Sequence, residues 1–88
     1  MSVEVLSLVG SGMMVQKEPY FLGGEQRTIF VNEEARVSII PQPNGMGIHA
    51  GLFEIAKLRG ERIEIVETYC TEEQVKSIIG EMVLSGGL

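Results

Sequence analysis

Aspartate and tryptophan are absent from this 88-residue chain, and cysteine and histidine occur once each. A lone cysteine cannot build an internal disulfide framework, and a lone histidine excludes a multi-histidine metal site within one chain. With no Asp, all 12 acidic side chains are Glu, which competes little with the backbone for hydrogen bonds. Turns must therefore be read from the 11 glycines and three prolines. No apolar run approaches the ~20 residues that span a bilayer, and the N-terminal Met-Ser-Val-Glu lacks the basic region of a signal peptide. These features imply a cytoplasmic chain with no membrane partner. Basic side chains are also scarce, seven against 12 acidic ones, for a net charge of -5. Affinity for phosphate backbones comes largely from Lys and Arg, so no nucleic-acid partner is expected. Only Lys57, Arg59 and Arg62 approach a patch.

What is present is apolar: 44% of the residues are hydrophobic and 22% charged, a balance that buries enough surface to fold. The length fits one domain spanning residues 1–88. A domain this small buries only roughly 60 to 68% of its unfolded surface, so a subunit interface would add stability, and a homo-oligomer is expected.

Residues 2–9, SVEVLSLV, read as a strand whose apolar positions fall on both parities near its end. Met13-Met14-Val15 resumes as a second short strand. Residues 16–26, with Pro19 and Gly23-Gly24, read as a loop around an apolar plug, Tyr20-Phe21-Leu22. Two β-rich runs, 27–31 and 35–41, flank a hairpin-length connection at Asn32-Glu33-Glu34. Pro41 and Pro43, having no amide hydrogen, are expected to stop the ladder there.

Residues 51–69 admit two readings. With Gly60-Glu61 as a two-residue turn, Leu58 faces Ile63, Lys57 faces Glu64, Ala56 faces Ile65 and Ile55 faces Val66, and Glu54 falls opposite Glu67. Alternatively 52–59 is a two-turn helix closed by Gly60. The hairpin is favoured. A helix over 72–84 carries a capping box, Thr71 with Gln74, acidic Glu72 and Glu73 in its first turn, and a stripe of Val75, Ile78, Ile79, Met82 and Val83. Gly86-Gly87 ends it, and Leu84 lies off the stripe. The pattern describes an α+β fold: a small antiparallel sheet of about five strands with one C-terminal helix packed on it. One helix covers one face, so the other face or an edge strand is left apolar for a second subunit, a dimer being favoured. The competing cover is the 20–22 plug.

Residues 44–51, NGMGIHAG, hold Gly45, Gly47 and Gly51 in a G-x-G-x-x-x-G spacing that differs from a dinucleotide fingerprint and lacks the lysine of a P-loop. Were a helix to begin near Gly51, these backbone amides would cradle an anion. His49 shares a face with Phe53 and Ile55 if the segment is extended. The candidate ligand-binding set is therefore Gly45, Gly47, His49, Gly51, Arg59 and Arg62, for a small anionic metabolite or nucleotide at a subunit interface. Cys70 precedes the helix cap, where the dipole would lower a thiol pKa, although a buried apolar role is the commoner use of a single cysteine. No nucleophile, base and orienting group assemble from these residues. The sequence thus implies no cofactor, no metal and no catalysis. It favours a non-enzymatic binding or regulatory module acting through self-association and a protein partner, with the anion-binding protein as the alternative.

Overall fold

Each reversal of the chain falls where the local chemistry favours one. Asn32 Oδ1 accepts hydrogen bonds from the backbone N–H groups of Glu34 and Ala35 at 2.8 and 2.9 Å, holding one turn closed. Gly60 takes φ +59° while Glu61 stays on the negative side, the φ combination of a type II′ turn, which matches the twist of its flanking strands. Between such turns the computed structural model, which describes residues 2–5, 14–45 and 47–85, runs as six strands: β1 (Ser2–Val5), β2 (Met14–Pro19), β3 (Glu25–Phe30), β4 (Ala35–Asn44), β5 (Gly47–Arg59) and β6 (Arg62–Cys70). They form one antiparallel meander in chain order, followed by α1 (Glu72–Leu84). The protein is thus an α+β fold with its C-terminal helix on the sheet. Residues 6–9 and 13, and the glycine pair 86–87, lie outside the described residues.

Sheet parity separates two faces. Val15, Ile29, Val37, Ile39 and Ile55 share one face and are buried, packed with Cys70, Val75 and Ile79. Burying each such aliphatic side chain contributes roughly 1.5 to 3 kcal/mol relative to exposure. The α1 stripe lies on this core: Val75 and Ile79 are buried, with Ile78, Met82 and Val83 packed at its margin. Both hydrogen bonds of the Thr71–Gln74 capping box are formed, and Leu84 points to solvent. None of the described helices is long and apolar enough to cross a membrane.

Several expectations need correction. Residues 16–19 continue β2 and 25–26 begin β3, so the loop shrinks to 20–24. Its apolar residues form no plug: Phe21 is 84% exposed and stacks edge-on against Tyr20 at 4.8 Å, leaving the open sheet face uncovered. Pro41 and Pro43 do not end the ladder, for β4 runs through both to Asn44. The pairing of β3 with β4 stops at Ile39, and Pro43 occupies a non-hydrogen-bonded position next to the Asn44–Gly47 pair, so no partner strand needs its missing N–H.

The hairpin reading of 51–69 is the one adopted: Leu58–Ile63, Lys57–Glu64 and Ala56–Ile65 all pair. Beyond them a register shift sets Ile55 opposite Glu67 rather than Val66. Glu54 then has no residue directly opposite it in β6, so the Glu54–Glu67 clash is relieved by a bulge. The uncovered face is also less apolar than expected. Gln16, Gln26, Thr28, Arg36 and Ser38 line a shallow hollow of about 270 Å³ there beside Phe30 and Leu58, and exposed apolar side chains on this face run from Met14 and Phe30 to Ile63 and Ile65 on β6, which are 68% and 50% exposed.

Candidate functional site

The largest irregularity in the sheet borders an open cavity lined by both charged and apolar side chains. Pro41 pairs with Phe53 while its neighbour Gln42 pairs with His49, so Ala50, Gly51 and Leu52 bulge out of β5 with nothing opposite them. Gly51 holds φ +80°, a conformation that a side chain strains against. The insertion breaks the alternation that would have placed His49 with Phe53 and Ile55. His49 is instead exposed, its ring 6.3 Å from Tyr69 in a T-shaped arrangement and its Nδ1 3.3 Å from the Ala50 carbonyl.

The bulge is pinned from below by Gln42, which is 4% exposed. Its Oε1 accepts the backbone N–H of Tyr69 at 2.7 Å. Tyr69 has φ +54°, the one positive φ among the described non-glycine residues, so this bond fixes a strained turn at the end of β6. The chain then passes through buried Cys70 into the cap of α1.

Between bulge, β2–β3 and the start of α1 lies a cavity of about 500 Å³. Lys17 and Arg27, directly opposite each other across β2 and β3, line it with His49, Gly51, Phe53 and Glu72. Arg27 donates through Nη1 to Glu72 at 2.8 Å, and its guanidinium carbon sits 5.1 Å from the Phe53 ring centroid. Its Nη2 is shielded from solvent and has no hydrogen-bond partner. Such an ion pair, only partly shielded, and such a ring contact each contribute on the order of 1 kcal/mol. Their main consequence is to hold a cation at a fixed place on the cavity wall.

The six residues expected to bind a ligand are therefore divided. His49 and Gly51 line this cavity. Gly45 and Gly47 lie at the β4–β5 tip, where a side chain would extend into open space. Arg59 and Arg62 sit at the other end of β5, opposite each other across the β5–β6 turn, lining a separate hollow of about 450 Å³ with Lys57 and Glu64. No helix begins near Gly51, which lies inside β5, so the helix-terminus cradle does not form. Lys17, Arg27, Phe53 and Glu72 are outside the candidate ligand set read from the sequence, although Arg27 shares strand parity with Ile29, and Lys17 with Val15, which marks both cations as lying on the buried face.

Cys70 is buried, its Sγ 3.8 Å from the Thr68 carbonyl. Burial, reinforced by nearby Glu67, pushes its thiol up from 9.0, opposite to the shift a reactive thiolate needs. Among the described residues no group of three or more His, Cys, Asp or Glu is placed to hold a metal ion. Comparison of the chain with protein families, with curated proteins and with solved structures gives no match.

Proposed function

We propose that this chain is a small non-enzymatic binding or regulatory module that acts through self-association and protein–protein contact. The supporting observation is β6: a nine-residue strand at the sheet edge that, among the described residues, pairs only with β5 and exposes Ile63 and Ile65 on the face α1 leaves bare. An unpaired edge with apolar side chains is a template for another strand. The cytoplasm is part of the proposal, because a lone thiol such as Cys70 stays reduced there. Sedimentation equilibrium at micromolar concentration tests the reading. A mass above one 9.6 kDa chain is expected, and a single-chain mass at every concentration would overturn it.

A second reading has its own support in the bulge cavity, where Lys17, Arg27 and His49 converge beside the Gly51 bulge. That arrangement suits a small anionic ligand such as a carboxylate or phosphate ester, oriented by Arg27 and stacked near Phe53. Native mass spectrometry of freshly purified protein, followed by titration with inorganic phosphate while the backbone amides of residues 49–53 are observed by NMR, checks it. Unmoved amides at millimolar phosphate would discard phosphate recognition at this site.

A further inference from the structure

The pattern of residues along β6 specifies how two copies would meet. We propose that a second copy of this chain adds its β6 antiparallel to the first, in the register that sets Ile63 opposite Ile63, giving one continuous sheet across a twofold axis. This rests on the self-association reading and adds its geometry.

The argument begins at the turn. Arg59 and Arg62 flank the two-residue Gly60-Glu61 turn as a hydrogen-bonded pair, so their backbone groups are spent on each other. Ile63, the next residue, then points its N–H and C=O away from β5, toward the open edge. In an antiparallel pair related by a twofold axis perpendicular to the sheet, one residue must face itself. Centring on Arg62 or on Glu64 sets like charges together. Centring on Ile65 sets Ile63 against Glu67 and Glu64 against Val66, where the β5–β6 register is already irregular. Residues 66–70 lie at or beyond the register shift, and Tyr69 has φ +54°, so Ile63 is the choice within the regular part of β6, where its outward N–H and C=O form a reciprocal hydrogen-bonded pair.

Across residues 62–64 that register is complementary on both faces, and beyond them Ile65 meets Glu61 of the turn. On the bare face it makes an apolar row: Leu58 and Ile63 of one copy, then Ile63 and Leu58 of the other. On the helix-bearing face Arg62 of each copy meets Glu64 of the other, extending the row Lys57, Glu64, Arg62, Arg59 across the seam. Within one copy Arg59 and Arg62 are like charges directly opposite, and neither guanidinium forms an ion pair or hydrogen bond among the described residues. A second copy supplies the missing carboxylate. Helix α1 packs over both β5 and β6 on this face.

Charge exchange tests this pairing. R62E and E64R are each expected to weaken the dimer at least ~10-fold, because each places two like-charged pairs across the seam. Mixing the two variants is expected to restore association as a heterodimer, and the double variant R62E/E64R is expected to dimerise within about three-fold of wild type, since both arrangements return every pair across the seam to opposite sign. Ile63→Cys should also form an intermolecular disulfide under mild oxidation, the facing Cα atoms lying ~5.5 Å apart. A wild-type dimer indifferent to the charge changes overturns this pairing while leaving self-association intact. A wild-type protein that stays a single chain overturns both.

Discussion

Replacing Gln42 with Leu removes one acceptor from the junction between the bulge, the end of β6 and the start of α1. Gln42 is 4% exposed, and its Oε1 receives the Tyr69 N–H at 2.7 Å. Leucine approximates its volume, so little cavity opens, and the main loss is the partner of a shielded backbone donor. Leaving a buried donor unmade costs about 1 to 3 kcal/mol. Tyr69 adds to this, because its φ of +54° persists only while surrounding bonds over-determine it. The second bond of Gln42, Nε2 to the Pro43 carbonyl, is long at 3.3 Å and contributes little. A loss of about 2 kcal/mol is expected, against a total stability on the order of 4 to 13 kcal/mol for a domain of this length. At roughly 4 to 8 °C per kcal/mol that lowers Tm by about 8 to 16 °C. Urea denaturation followed by circular dichroism measures the loss, and hydrogen exchange at the Tyr69 amide localises it. A variant within about 0.5 kcal/mol of wild type whose Tyr69 amide exchanges no faster would refute the role given to Gln42.

Ile79 is 2% exposed at the centre of the helix–sheet contact, so Ile79→Asp buries an unpaired charge and should unfold the domain; an unchanged melting temperature would show that α1 does not pack there. Cys70 should resist iodoacetamide at pH 8 in the native state, at least ~100-fold relative to protein in denaturant, because its thiol is buried and raised above 9.0. Since the folded thiol titrates above the unfolded one, its contribution to stability is complete below the ordinary thiol range and is lost as pH climbs through the raised value. Cys70→Ala should accordingly lose less stability than wild type between pH 8 and 10, and parallel curves would contradict this. Gly47→Val should leave the fold intact, because a side chain there meets open space at an ordinary φ; it should also leave phosphate titration at residues 49–53 unchanged, and a coupled loss would return Gly47 to the site.

The parts of this protein that depend on neighbours in sequence were determined by the sequence. The Thr71–Gln74 box and the Val75–Ile79 stripe sit within one or two helical turns of each other, so spacing alone sets them. The Gly60-Glu61 hairpin is likewise local, and its first three pairs follow directly from a two-residue turn. What only the tertiary structure decided lies where the regular period fails. A bulge shifts every later residue to a new partner. Thus Ala50, Gly51 and Leu52 removed His49 from the face of Phe53, and the shift after Ala56 replaced the Glu54–Glu67 opposition with Ile55–Glu67. Periodic reasoning cannot foresee such insertions, because they are selected by packing between strands distant in sequence. The prolines follow the same logic, since whether a missing N–H matters depends on whether a strand lies on that side. The cavity that joins Lys17 and Arg27 to Gly51 and Glu72 spans five separate elements, β2 to β5 and α1. Its residues carried no shared motif, and only the bent sheet and the placement of α1 brought the Arg27 guanidinium to Glu72, 45 positions away.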